Sequence, residues 1–440
     1  MKISHLLHRI IIIIALTGLP ALSFAEPIPS TPKPTPTPTP SAISTTTSTS
    51  TGTPTTTPSF QEQTTPVANA TSASPNQAPS IVPPPPALDA QGYVLMDANS
   101  GKVIAAMNAD TRLAPASLTK LMTLYVAEQA LANNEIHLAD NVRISKLAWQ
   151  TGGSRMFIKY NSDVSVQDLI QGIIVASGND ATVALAEFVG GSIPTFVNMM
   201  NTQAKRIGMS NTNFNDPTGL PSPQHYSTPY DLALLTRAII NDYPQYYSFF
   251  KEKWIDYNNI KQPNRNRLLW RDPSVDGLKT GHTDAAGYCL ISSANRNGMR
   301  LISVVMGTPS DSARANESEA LLNYGYRFYT TKKLFNANIP IQQQRVWLGE
   351  NKYVNLGTSS DVYVTVPTAI ANNVKITLTL NNKELKAPVI KGQQYATLNI
   401  TTNNTTIEQV PVIALQNDMK EGFFNRMFGH LSLVFHSWFS

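Results

Sequence analysis

The sequence predicts an α+β protein: one sheet with a helical insert, then a small all-β domain, then an amphipathic C-terminal helix. Three observations lead there. Strand-like runs frame both ends of the segment 87–333, and helical periodicity fills the middle. From about Leu334 short strands recur between Asn, Gly, Pro and Ser, to about Leu415. Beyond that, the stretch Met419 to Ser440 places its aromatic side chains on one side of a helix.

The chain begins with an expected export signal over residues 1–25. Lys2 and Arg9 form a basic start, an apolar run follows from Ile10, and Ser23-Phe24-Ala25 supplies small residues for cleavage. The 15 residues from Ile10 to Phe24 are interrupted by Thr17, Gly18 and Pro20, whereas a spanning helix needs about 20. Residues 26–86 are then expected to be disordered. The part from Pro27 to Pro86 holds 16 of the 31 prolines and two charged residues, Lys33 and Glu62, so it cannot bury enough apolar surface to offset its ordering entropy. Extended, it would reach about 190 Å at about 3.1 Å per residue.

Within the folded part, Tyr93–Asp97 and Val103–Ala106 read as two strands joined by Asn99-Ser100-Gly101. Helical patterns run over Ser117–Leu131, Val166–Val175, Asp180–Val189, Ile193–Ile207 and Glu317–Phe328, and Leu301–Met306 reads as a buried strand. The formal charge of +5, from 34 basic and 29 acidic side chains, is spread without a basic cluster, which argues against a nucleic-acid partner. There is no Gly-rich phosphate loop and no pair of histidines at metal spacing, so neither a metal nor a cofactor is expected. The single cysteine, Cys289, lies in a strand-like run and reads as a small buried residue.

The chemistry lies in an ordered set: Ser117-Leu118-Thr119-Lys120, then Ser177-Gly178-Asn179, then Lys279-Thr280-Gly281-His282-Thr283. Singly these are weak, because Ser-x-x-Lys recurs at Ser30 and Ser248 and Ser-x-Asn at Ser74 and Ser293; only Lys-Thr-Gly is unique. Ser117 and Lys120 are three apart and share a helical face, one turn from each other. A serine hydroxyl is a poor nucleophile until a base takes its proton. Lys120 can be that base only when neutral, which burial and nearby positive charge, for instance from Lys279, would favour. Ser177 would relay a proton to the leaving amine, and Asn179 would hold Lys120 and the substrate amide. Lys279-Thr280-Gly281 gives a strand edge for an extended peptide, with Gly281 leaving room for close approach. Backbone N–H groups of Ser117 and His282 would form the oxyanion site, leaving the His282 imidazole incidental. Ser117 could otherwise be an ordinary helix N-cap.

With these motifs the chain resembles the low-molecular-weight penicillin-binding proteins, the serine-type D-alanyl-D-alanine carboxypeptidases. The flanking stretches Gln262-Pro263-Asn264-Arg265-Asn266, Arg300–Val305 and Gly325-Tyr326-Arg327-Phe328 agree with that family, from about Ala87 to the C-terminus. The resemblance implies a penicillin-binding/β-lactamase-like transpeptidase domain, an antiparallel sheet with a helical subdomain, over 87–333, with a β-rich domain over 334–415. It implies that Ser117 is acylated, Lys120 is its base, and Ser177 and Asn179 assist. Lys279 and Thr280, with Arg314, would bind a terminal carboxylate. The substrate would be peptidoglycan stem peptides ending in D-Ala-D-Ala, and β-lactams would acylate the same serine. The role implied is cell-wall remodelling and maintenance of cell shape. The protein would be exported and held peripherally at the periplasmic face of the inner membrane by residues 416–440. The anchoring side chains would be Phe423, Phe424, Phe428, Leu431, Phe435 and Trp438, which share one helical face. A class A β-lactamase shares the three motifs, but no Glu-x-x-x-Asn occurs between Asn179 and Lys279.

Overall fold

The computed structural model describes residues 81–420 and 422. The expected export signal, nearly all of the Pro/Thr-rich segment and, apart from residues 416–420 and 422, the expected C-terminal helix lie outside the described residues. Residues 416–420 are not helical but bridge back to the β-rich domain, Asp418 to Val389 and Lys420 to Gly349, with Asp418 Oδ1 accepting from the Asn351 N–H. Strand β1 (Gly92–Asp97) pairs with β2 (Val103–Met107), as the sequence predicts, and the chain then enters a helical subdomain. That subdomain contains α1 (Lys120–Ala132), the hairpin strand β3 (Asn141–Arg143), α2 (Lys146–Gln150), β4 (Asp163–Ser165), α3 (Val166–Gln171), α4 (Asn179–Gly190), α5 (Ile193–Arg206) and α6 (Pro229–Asp242). A second hairpin, β5 (Trp254–Tyr257) with β6 (Ile260–Pro263), and a short turn of helix α7 (Leu268–Arg271) lead back to the sheet. Strands β7 (Val275–Thr283), β8 (Gly287–Arg296) and β9 (Met299–Thr308) complete it in the order β2-β1-β9-β8-β7, every neighbour antiparallel. Strand β7, which carries Lys279-Thr280-Gly281, therefore lies at one edge.

The period-2 alternation of strand side chains divides the core between the two faces of the sheet. Val94, Met96, Leu278, Ile291, Ile302 and Val304 pack toward the helical subdomain, where they join Leu121, Tyr125, Ile170 and Phe196. Tyr93, Leu95, Leu290, Leu301 and Val305 face the other way and are covered by Leu321 and Leu322 of α8 (Asp311–Phe328). The expected start of this helix at Glu317 is six residues late. Ser310 accepts a hydrogen bond from the Ala313 N–H and starts the helix in a polar stretch that apolar periodicity does not mark. Helix α6 is an addition to the sequence reading, although Thr228 caps it by accepting from the Asp231 N–H and Pro229 sits at its start.

Tyr329 follows Phe328 directly and opens β10 (Tyr329–Phe335). The β-rich domain continues through β11 (Gln342–Trp347), β12 (Tyr353–Gly357), β13 (Val362–Pro367), β14 (Val374–Leu380), β15 (Leu385–Lys386), β16 (Gln394–Thr402) and β17 (Thr405–Ala414). Strand β10 pairs with β13, and the others form a six-stranded sheet. Polar contacts that join this domain to the first include Ser100 Oγ to Thr365 Oγ1 at 2.7 Å and Thr331 Oγ1 donating to Asp97 Oδ2 at 2.7 Å. Among the described residues no single helix is long and apolar enough to cross a membrane.

Candidate active site

Ser117 lies in a 3-10 turn, Ala116–Thr119, that runs straight into α1. Its hydroxyl is not a helix cap. Pro115 occupies the cap position of the turn and Thr119 that of α1, and neither makes a side-chain cap bond. Ala116 has a φ of 47°, a conformation costly for a residue with a β-carbon, so the turn is held in place by its surroundings. Gly219 is one of them: a β-carbon there would fall 1.8 Å from the Ala116 carbonyl oxygen. Gly281 on β7 is another, with a β-carbon placed 3.0 Å from Pro115 O and 3.3 Å from Ala116 Cβ. The room at Gly281 is thus used by the serine-bearing turn itself, where the sequence reading assigned it to an approaching peptide.

One turn along, Lys120 is fully buried and its Nζ donates to Ser117 Oγ at 2.9 Å and to the Thr218 carbonyl at 2.8 Å. Burial lowers its pKa to about 7, with Arg265 acting the same way and Asp216 and Asp180 opposing. Lys279, which the sequence suggests as the depressing charge, is itself buried, and its Nζ donates to the Thr280 carbonyl at 3.1 Å. Its pKa lies well below the usual lysine range, first through burial and then through Lys120, Arg265 and Arg314.

Ser177 ends a π-helical turn, Gly172–Ala176, in the left-handed conformation (φ 57°). Such turns and such backbone are uncommon and concentrate at functional sites. Its Oγ is buried and, among the described residues, has no hydrogen-bond partner. Asn179 opens α4. Its Nδ2 donates to the Gly152 carbonyl at 2.7 Å and its backbone N–H to the Ser154 carbonyl at 2.7 Å. Its Oδ1 is buried without a partner among the described residues. The expected hold of Asn179 on Lys120 is therefore not what these bonds do: the Thr218 carbonyl takes the ammonium, and the Asn179 amide fixes the 152–154 loop. The neighbouring Asp180 anchors the same loop by accepting from the N–H groups of Met156, Phe157 and Ile158.

These elements enclose an open cleft of about 280 Å³ lined by Ser117, Ser154, Ser177, Arg265, Thr280, Gly281, His282, Tyr288, Asp311 and Arg314. Every expected site residue of the folded part either lines it or, as Lys120, Asn179 and Lys279, stands buried behind it. His282 is exposed and stacks on Tyr288, ring centroids 4.0 Å apart. Arg314 sits in the first turn of α8, paired with Asp311, and donates to the Gly281 carbonyl at 3.0 Å. Arg265 donates to Ser154 Oγ at 2.8 Å and lines the same polar cleft as Arg314. Arg265, Tyr288 and Asp216 were not singled out as site residues. Only the turn signal Asp216-Pro217-Thr218-Gly219 could have drawn attention to the last. The thiol of Cys289 is buried and pushed up to about 11 by that burial, as its strand context suggests.

Residues 79–310 match the family described as D-alanyl-D-alanine carboxypeptidase, and residues 329–420 match the penicillin-binding protein 5 C-terminal domain. The chain is 46% identical over 361 residues to D-alanyl-D-alanine carboxypeptidase DacC of Escherichia coli K12, covering 80% of this chain and 90% of that protein. It is 43% identical over 361 residues to DacA of Haemophilus influenzae, covering 81% of this chain and 92% of that one. The crystal structure of penicillin binding protein 5 from Haemophilus influenzae superposes with a TM-score of 0.73 at 44% identity, over 76% of this chain and 99% of that one.

Proposed function

Because this chain belongs to the D-alanyl-D-alanine carboxypeptidase family, we propose that Ser117 is its nucleophile and Lys120 the base that activates it. The activity is that of a serine-type D-Ala-D-Ala carboxypeptidase on peptidoglycan stem peptides, in cell-wall remodelling, and the protein binds penicillin. The observation that carries the assignment of roles is the 2.9 Å contact between Lys120 Nζ and Ser117 Oγ, made by a buried amine whose pKa is about 7. A general base works best when its pKa lies near the operating pH.

In the proposed sequence Lys120 takes the Ser117 proton as Oγ attacks the carbonyl carbon of the penultimate D-alanine. The oxyanion is received by the backbone N–H groups of Ser117 and His282. Collapse breaks the peptide bond, and the proton passes through Ser177 to the amine of the departing D-alanine. Water then hydrolyses the ester and frees Ser117. The unpartnered Ser177 Oγ and Asn179 Oδ1 support these assignments, since buried polar atoms without partners cost free energy unless a substrate engages them. Arg314, Thr280 and Lys279 would receive the terminal carboxylate, which a planar guanidinium suits. The edge position of β7 supports a peptide lying along it as an added strand.

We place catalysis in the part from residue 87 to the end of α8 at Phe328 and the β-rich part from Tyr329, where β10 begins, to Lys420, which moves the expected boundaries of 333 and 415 by a few residues. The protein would sit at the periplasmic face of the inner membrane, held by the residues that follow Lys420, whose apolar positions Phe423, Phe424, Phe428, Leu431, Phe435 and Trp438 would share one face of a helix. The test of the activity is incubation with a pentapeptide ending in D-Ala-D-Ala and assay of free D-alanine. Release is expected from the wild type and none from Ser117→Ala; no release from the wild type would overturn the assignment. For the anchor, equal liposome binding with and without the residues beyond Lys420 would remove it.

A further inference from the structure

Behind the serine and lysine lies a polar chain, half-buried at Asp216 and buried at His225 and Thr119, that the steps above do not use. Asp216 Oδ1 accepts from the Thr218 N–H at 2.6 Å, from Thr218 Oγ1 at 2.5 Å and from the Gly219 N–H at 2.9 Å. Its Oδ2 faces His225 Nδ1 at 3.1 Å. The other ring nitrogen, Nε2, lies 2.8 Å from Thr119 Oγ1, and Thr119 sits between Ser117 and Lys120 in sequence. His225 and Thr119 are both buried. The ionised Asp216 carboxylate can only accept, so we assign the ring proton to Nδ1, facing that carboxylate, which leaves Nε2 to accept from Thr119 Oγ1. The Asn215 N–H approaches Nδ1 at 3.2 Å, the longer of the two contacts.

The chain closes on the amine. Thr218, held on its N–H and hydroxyl by Asp216, presents its carbonyl to Lys120 Nζ at 2.8 Å. Gly219, which follows it, lies against the Ala116 carbonyl. One carboxylate thus organises the loop that both grips the lysine and backs the serine-bearing turn. We propose that Asp216, locked by His225 to Thr119, is a positioning residue that aims the Thr218 carbonyl at Lys120 and balances the charge around that amine.

The charged groups bearing on Lys120 come from separate elements. Asp216 precedes α6, Asp180 lies in α4, Arg265 follows β6 and Lys279 lies in β7. Burial lowers the lysine pKa most, Arg265 adds to that, and the two carboxylates oppose it, Asp216 ahead of Asp180. Without Asp216 the amine would give up its proton more readily and be a weaker base. The carboxylate itself stays ionised in this setting. Burial alone would raise its pKa, but the bonds from His225 and Thr218 hold it at about 2.

The inference rests on Lys120 being the base, and the test separates the two. The rate of acylation by a fluorescent penicillin is followed from pH 5 to pH 10 for the wild type, Asp216→Asn and His225→Gln. The wild type is expected to show an acid limb near pH 7; a flat profile would defeat the role of Lys120 itself. In Asp216→Asn the limb should move roughly 0.5–1 unit to lower pH, because loss of a nearby anion disfavours the ammonium form. The limb position does not depend on how much of a preparation is folded. In His225→Gln the plateau should fall about 2–10-fold, the loss of one buried hydrogen bond, with less movement of the limb. A wild-type limb that stays in place in Asp216→Asn overturns the proposal, as does an unchanged plateau in His225→Gln. An Asp216→Asn protein that acylates at no pH also overturns it, since the carboxylate would then serve folding alone.

Discussion

Gly281 lies tight against Pro115: a β-carbon on Gly281 would stand 3.0 Å from the Pro115 carbonyl oxygen, close enough that the neighbour would have to give way by a few tenths of an ångström. The edge strand and the turn that carries Ser117 are thereby in backbone contact. Gly281→Ala is expected to push the turn away, costing about 1–3 kcal/mol of stability as overpacking does. Acylation by penicillin should slow more than the small loss of melting temperature would suggest. Thermal unfolding together with the acylation rate would show this, and a variant with wild-type acylation would mean the turn tolerates displacement.

Substitution of the lysine separates proton transfer from charge. Lys120→Arg keeps a cation at a site where the guanidinium cannot lose its proton. Its acylation rate should fall by about 10²–10⁴, the usual contribution of general base catalysis. Circular dichroism should show a native fold, so that a loss of rate with retained structure locates the defect in the base.

Arg314 should distinguish substrates by their C-terminus. It donates to Gly281 O and faces the cleft. Arg314→Lys is expected to lower kcat/KM about 10–100-fold for a peptide ending in a free carboxylate, the worth of a charge-assisted hydrogen bond. The same peptide as its C-terminal amide should be affected far less. Equal losses for both peptides would assign Arg314 to holding β7 and α8 together.

Cys289 should be silent in the native protein. It is fully buried and its thiol is pushed up to about 11, so the thiolate is scarce at neutral pH. Treatment with a thiol-reactive disulfide reagent should release no chromophore until denaturant is added, and then one equivalent per chain. Rapid native labelling would show that β8 opens locally.

What the sequence makes legible is chemistry carried by side chains close together along the chain. Ser117 and Lys120 could be paired on sight because one helical turn joins them. The chain's other half of that grip, the Thr218 carbonyl, lies 98 residues away and is a backbone atom, which every residue possesses. No motif can mark it. Asn179 is likewise tied to Gly152, 27 residues back, through a carbonyl. The π-helical turn before Ser177 departs from the 3.6-residue period on which helix recognition rests, so a continuous helical pattern over Val166–Val175 hides it. Strand edges and long helices, in contrast, follow from periodicity, which is why the sheet and most of its helical insert were foreseeable.

The passage from α8 to β10 has a mechanical meaning. Phe328 ends the helix and Tyr329 begins the strand, with no residue between them. Hinges need a few terminal or loop residues free to change their dihedral angles. At this joint such a change would have to break either the last helical turn or the first strand pair, between Tyr329 and Pro367. Reach, the span between the cleft and the far end of the β-rich domain, is then a dimension built into the covalent chain, as throat depth is built into a clamp.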